Sequence, residues 1–263
     1  MGLNVAADPF VNSAMTGANG GLLVISADDP SMHSSQNEQD SRFYASFAII
    51  PALEPSDQQE AYDMGAYGFA LSEKLGLPVM VRMVTRLAHS RAVVEVEGNA
   101  AAENQLSYPQ KARQWVLMPG NSRVRYRELL AQKDDMERLS EESPFNRLIP
   151  GTDTRIGILA SGIAYNYVNE AFAGRCPFPV LKISQYPLPK KLVAQLADTC
   201  DAILVIEEGQ PVIEECMRGL LDRGLKIYGK LDGHLPRTGE LTPDSVAAAV
   251  AGLIPDMHHK LIR

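Results

Sequence analysis

From Asp153 onward the chain alternates short apolar runs with longer amphipathic ones, and this rhythm limits the available folds more than any other feature. RIGILAS, PFPVLKIS, DAILVIEEG and LKIYGKL read as strands; IAYNYVNEAFAG, PKKLVAQLADTC, PVIEECMRGLLDRG and TPDSVAAAVAGLI read as helices. Strands separated by whole helices cannot pair as hairpins, so they cross over and lie parallel. Pro189 near a first turn, and Thr242 followed by Pro243, mark helix starts. The fold class is therefore α/β, with a mostly parallel sheet in this part.

Residues 1–98 carry a second α/β pattern. GLLVIS (21–26) is a strand, and a helix over QEAYDMGAYGFALSEKL follows. Ser56 is its expected cap, Gln59 completes a capping box, and Gly76 ends it. VMVRMVTRL (79–87) reads as a buried strand and RAVVEVE as a further one. The opening GLNVAADPF reads as a loop without a lead-in strand or helix, as though a domain were entered part-way. Between the two patterns, 99–152 reads as a linker with one long solvated helix from about Ser122 to Ser140, its pieces bounded by prolines 109, 119, 144 and 150. The expected division is thus 1–98, 99–152 and 153–263.

The 263 residues are 45% hydrophobic and 22% charged, enough for a sizeable core, and carry a net charge of −7. An acidic chain has no basic excess with which to bind nucleic acid or an anionic membrane surface. No apolar run approaches the roughly 20 residues needed to span a bilayer, and the N-terminus has no signal-peptide pattern. Cys176, Cys200 and Cys216 are scattered without a CxxC, as expected of reduced thiols in a cytoplasmic protein.

The most informative polar stretch is ADDPSMHSSQNEQDSR (27–42), directly after an apolar strand. Open α/β sheets bind ligands outside the carboxyl ends of their strands. His33, Ser34, Ser35, Gln36 and Asn37 are either donors for a carboxylate or carbonyl oxygen, or members of a self-satisfied turn. Asp28 and Asp29, before Pro30, are turn formers. Phe43, Tyr44 and Phe47 follow at helical spacing and either wall an aromatic pocket or pack a helix on the sheet. Arg86 and His89, in TRLAHSR, stand at another strand end, for an anion contact or an interface salt bridge. GILASGI (157–163) lacks the Lys-Ser/Thr of a phosphate loop. Glu207 and Glu208 read as acidic residues capping the next helix rather than an acid–base pair. His258-His259 read as a solvated tail.

GLNVAADPFVNSAMTG, ADDPSMHSSQNEQDSRFYA, LEPSDQQEAYDM, LSEKLGLPVMVRMVTRLAHSR, SEESPFNRL and GILASGIAYNYVNEAF together resemble the alpha subunit of indolepyruvate ferredoxin oxidoreductases, within the thiamine-diphosphate 2-oxoacid:ferredoxin oxidoreductases. The resemblance runs across essentially the whole chain and matches an internal portion of that subunit. It implies oxidative decarboxylation of arylpyruvates to aryl-acetyl-CoA, with electrons passed through [4Fe–4S] clusters to ferredoxin. It also implies thiamine diphosphate and Mg as cofactors, and a beta subunit, ferredoxin and CoA as partners of an oligomer. Residues 1–98 then correspond to the later part of a pyrimidine-binding domain, and 153–263 to a transketolase C-terminal-like domain. His33, Ser34, Ser35, Gln36 and Asn37 would lie near thiamine and the 2-oxo acid, with Asn4, Asn12, Arg86 and His89 as further candidates.

The departures from that pattern matter as much. The family's cofactor-activating glutamate, its diphosphate- and magnesium-binding domain and its CxxCxxCxxxCP cluster runs have no counterpart here. The expectation is a portion of the subunit, inactive by itself, that is completed by the missing portions or by partner chains. The alternatives are a non-catalytic remnant or subunit-association module, and a component of a related pyruvate or 2-oxoglutarate enzyme.

Overall fold

The computed structural model describes residues 2–96, 112–220 and 224–257. In chain order these form α1 (Gly2–Val5), α2 (Ala7–Thr16), β1 (Leu23–Asp28), α3 (Arg42–Ala48), β2 (Ala52–Leu53), α4 (Gln58–Leu75), β3 (Val79–Val84) and α5 (Thr85–His89). After a 3₁₀ turn come α6 (Pro119–Ala131), α7 (Lys133–Glu141), β4 (Arg147–Ile149), β5 (Gly157–Ser161), α8 (Ala164–Ala171), β6 (Val180–Ile183) and β7 (Gln185–Tyr186). The chain continues through α9 (Lys190–Thr199), β8 (Ala202–Ile206), α10 (Val212–Leu220), β9 (Lys226–Tyr228) and α11 (Pro243–Leu253).

Two sheets result. The second has the order β4-β6-β5-β8-β9, parallel except for β4, as the strand–helix alternation requires. All residues of β5, β6 and β8 are buried, because helices cover both faces. One core packs Ile158, Val168, Leu204 and Val250 on one face, and another packs Leu159, Leu181, Val193 and Ile203 on the opposite face. The first sheet runs β1-β3-β2-β7, with β1, β3 and β2 parallel and β7 antiparallel. The backbone leaves β6 at Ile183 and enters β7 at Gln185, passing from one sheet to the other within two residues.

Several expectations are corrected. The opening is helical: Phe10 and Ala14 of α2 bury against Ala45 and Ala48 of α3, so packing orders a stretch that lacks a strong local signal. Asn4 and Asn12 therefore lie on helices. The cap of α4 is Asp57 rather than Ser56. Asp57 is extended and accepts the Glu60 N–H at 2.8 Å, while the Glu60 carboxylate takes the Ser56 N–H and hydroxyl, both at 2.9 Å. The reciprocal box expected of Ser56 and Gln59 does not form, since Glu60 bonds the residue before the cap; the helix end at Gly76, φ 64°, is as read.

The strand over 79–87 stops at Val84, and Thr85–His89 is helical. Residues 91–96 are irregular, with Val93 and Val96 exposed; β-branched residues form no strand without an edge to pair with. Glu97, the last residue of that expected strand, lies outside the described residues, as do His258 and His259. The single charged helix is two, broken at Gln132 so that Leu129 and Met136 reach one cluster and Leu139 another. The stretch read as a linker also supplies β4, which pairs Arg147 with Lys182 and Ile149 with Val180.

Candidate functional site

The loop from β1 to α3 is built on two aspartates. Asp29 Oδ2 accepts the backbone N–H groups of Ser34 at 2.8 Å and Ser35 at 2.9 Å, and its Oδ1 accepts the Thr85 hydroxyl at 2.8 Å. Those bonds, the Ser34 N–H foremost, hold its carboxyl well below the usual range against the opposing effect of burial. Ser31 and Met32 take left-handed conformations, φ 70° and 56°, to bring the chain back. Asp28 turns inward, accepting the Ser41 N–H at 2.9 Å and Arg82 Nε at 2.7 Å.

Beneath the loop lies a cluster of buried charges. Arg82 of β3 also reaches Glu54 and, at 3.4 Å, Asp40. Arg42, the first residue of α3, is gripped by Asp40 and donates to Glu207 at 2.7 Å and to the carbonyls of Glu208 and Gln210 at 2.8 Å. Burial pushes the Asp40 carboxyl up, but Arg42 and Arg82 overcome it and hold it low. Glu207 is pushed up by burial despite Arg42 and two backbone N–H groups of α10, from Ile213 and Glu214, both at 3.0 Å. Glu207 therefore caps the next helix, as read, and also ties it to α3. Glu208, read as a second cap of that helix, instead accepts the Leu241 N–H at 3.2 Å, and among the described residues its Oε2 and the nearby Tyr167 hydroxyl are buried without a well-formed hydrogen bond.

Two of the sequence candidates meet. Glu240, before α11, accepts Arg86 Nη2 at 2.6 Å and faces His33 Nε2 at 3.2 Å. Arg86 also lies over the Tyr167 ring, 5.2 Å from its centroid. Ser35 and Asn37 line a cavity of about 410 Å³ beside β1, with Gly2, Leu3 and Tyr44 opposite. Ser34 is tied to Asp29, Gln36 is exposed, and Asn37 accepts a bond from Gln39 at 2.8 Å.

Of the further candidates, Arg86 joins His33 on Glu240 and the other three lie apart. Asn4 accepts the Tyr44 hydroxyl, Asn12 bonds Asp8 at 3.1 Å on the exposed face of α2, and His89 is exposed at the end of α5. Of the aromatic trio, Tyr44 lines the cavity while Phe43 and Phe47 face solvent. Sequence reasoning gave Asp29 only a turn role and missed Glu240, which no local motif marks.

The donor set does not fit a complete thiamine diphosphate site. The cavity's carboxylates, Asp28 and Asp29, are both engaged, leaving neither free for an aminopyrimidine. No group of three or more His, Cys, Asp or Glu among the described residues is arranged for a metal ion. Cys176, Cys200 and Cys216 are free and dispersed, which does not fit an iron–sulfur cluster. No helix among the described residues is long and apolar enough to cross a membrane.

No protein-family model matches the chain. The indolepyruvate oxidoreductase subunit IorA of Methanothermobacter thermautotrophicus is 40% identical over 259 residues, covering 96% of this chain and 42% of that subunit. The IorA subunit of Archaeoglobus fulgidus is 38% identical over 255 residues, covering 95% and 40%. A solved 2-oxoglutarate:ferredoxin oxidoreductase from Magnetococcus marinus superposes with TM-score 0.68 at 16% identity, covering 96% of this chain and 52% of that one. A split-gene transketolase, an inactive beta4 tetramer, gives 0.51 at 14%, covering 89% and 66%. These two show the fold alone. The chain spans about two-fifths of the length of its curated relatives. With some 40% identity carried along almost its whole length, the chain matches a portion of the indolepyruvate oxidoreductase subunit IorA of these organisms.

Proposed function

We propose that this chain is a portion of the alpha subunit of an indolepyruvate oxidoreductase, which decarboxylates arylpyruvates oxidatively to aryl-acetyl-CoA and passes the electrons to ferredoxin. The observation that carries this reading is the gathering of His33 and Arg86 on Glu240, at the carboxyl ends of β1 and β3, beside a cavity lined by Ser35 and Asn37. Arg86 offers a cationic donor, and His33, Ser35 and Asn37 offer further polar groups, as a 2-oxo acid's carboxylate and carbonyl require. Thiamine diphosphate supplies the electron sink in such enzymes. In this reading it, Mg and the [4Fe–4S] clusters are held by residues other than those described here.

The proposed share of this chain is to shape one wall of the site, with 1–98 as part of a pyrimidine-binding unit and 153–263 as a transketolase C-terminal-like unit. It turns over no 2-oxo acid alone. A beta subunit and the remaining alpha-subunit sequence complete the enzyme in the cytoplasm.

The test is reconstitution. The chain is combined with the complementary part of an IorA subunit, a beta subunit, thiamine diphosphate, Mg and CoA, and arylpyruvate-dependent dye reduction is followed. Activity that requires this chain supports the reading; none, with every component folded and associated, overturns it. The open edge of β1 favours a second reading, a module serving only subunit association. That reading predicts assembly without any effect of Arg86→Ala on the KM for arylpyruvate.

A further inference from the structure

On the other side of α3 from the candidate site lies a second cavity, of about 300 Å³, bounded by α3, α7, the turn before α9, and α10. Ala45, Ile49, Met136, Leu188, Val212 and Ile213 give it apolar walls. Its charges nearly cancel. Arg42 at its floor is consumed by Asp40 and Glu207, and Lys190 is paired with Glu137 at 2.5 Å. Lys133, the first residue of α7, stands exposed at the cavity and has no hydrogen-bond or ion-pair partner among the described residues. The first turn of α10 offers no free donor, since Glu207 takes the Ile213 and Glu214 N–H groups.

One uncompensated ammonium over an apolar hollow defines the ligand class. The walls select an apolar body of one or two fused rings, and the lysine selects a single anionic group on it. A neutral molecule gains nothing from Lys133, and a dianion brings a second charge for which the rim has no further unpaired cation among the described residues. We propose that this cavity binds a small amphipathic monocarboxylate, with its apolar body between α3 and α10 and its carboxylate on Lys133. Cys216 of α10 lines the same cavity and is exposed, so its thiol reports on occupancy.

The experiment uses the purified chain, with indole-3-acetate as probe and 3-methylindole, of similar body without the acid, as control. Alkylation of Cys216 by N-ethylmaleimide is followed by peptide mass spectrometry, which separates it from Cys176 and Cys200, while binding is titrated by calorimetry. The expected result is saturable protection of Cys216 by indole-3-acetate. Lys133→Ala, or removal of the acid from the probe, should weaken binding by about tenfold, the order of one charge-assisted contact. Cys216→Phe, which fills the cavity from its exposed side, should abolish calorimetric binding. Absence of protection at millimolar probe, or equal affinity in wild type and Lys133→Ala, overturns the proposal. Neither readout requires turnover, so the result is independent of the reconstitution above.

Discussion

Arg42 and Glu207 are 165 residues apart in the chain, and a buried bond of 2.7 Å joins them, fastening the start of α3 to the strand end before α10. Removing the cation takes away Glu207's ion-pair partner, leaving it two backbone N–H groups, and leaves Asp40 with the more distant Arg82, at 3.4 Å, as its cation. Arg42→Met should therefore lower stability by about 3–5 kcal/mol, the cost of breaking a buried pair from one side. Adding Glu207→Gln to it should restore part of the loss, because the two effects are coupled. Denaturant midpoints of the single and double variants check this; a loss below about 1 kcal/mol for the single variant refutes it.

The same cluster sets opposing pH dependences. Glu207 and Glu208 have folded values raised above 4.5 by burial, so the folded chain holds their protons more tightly than the unfolded one. Their stabilisation is present below pH 4.5 and is lost as pH rises through the folded values. Asp40, held below 3.8, acts in the opposite sense: its contribution is present above 3.8 and is lost as pH falls. Glu208→Gln should flatten the decline in stability above pH 4.5 while leaving the acid limb unchanged. Unfolding free energies measured from pH 3 to 8 test this, and identical slopes in both proteins count against it.

Asp29 organises the loop that carries His33. Asp29→Ala removes its bonds to Ser34, Ser35 and Thr85. Global stability should fall by only about 1 kcal/mol, while amide exchange at Ser34 and Ser35 rises sharply. Because its carboxyl is held below 3.8, the order it confers is present above that pH and lost as pH falls through the lower folded value. Unchanged exchange at the two serines contradicts this account.

Among the described residues the strand β1 pairs only with β3, and Ile25 on it is 70% exposed. Such an edge is a template for pairing with another strand. Sedimentation should show concentration-dependent self-association of the chain, and Ile25→Lys should shift it toward monomer. A monomer at all concentrations argues against an adhesive edge.

What was legible in the sequence was what local chemistry decides. The alternation after Asp153 predicts the parallel pairing seen among β6, β5, β8 and β9, Gly76 ends α4, and Thr242 caps α11. The departures are tertiary. Packing of Phe10 made the opening helical, and Asp57 won the cap because Glu60 serves Ser56. In GILASGI, Gly162 adopts φ 49°, and a Cβ there would lie 2.6 Å from Glu54 Cγ, so a close approach between distant segments also requires glycine. His33 and Arg86 were found from their strand-end positions, but Glu240, which gathers them, is 154 residues beyond Arg86.

The passage of the backbone from β6 to β7 has a mechanical meaning. Ser184 sits at the crossing, its N–H bonded to Asn146 Oδ1 at 2.7 Å and its carbonyl to the Glu54 N–H at 2.8 Å. Neither sheet can come apart without tearing the other's hydrogen-bond ladder at this seam. Heat or denaturant should therefore meet a single cooperative unit, melting in one transition, rather than two halves that fail in turn.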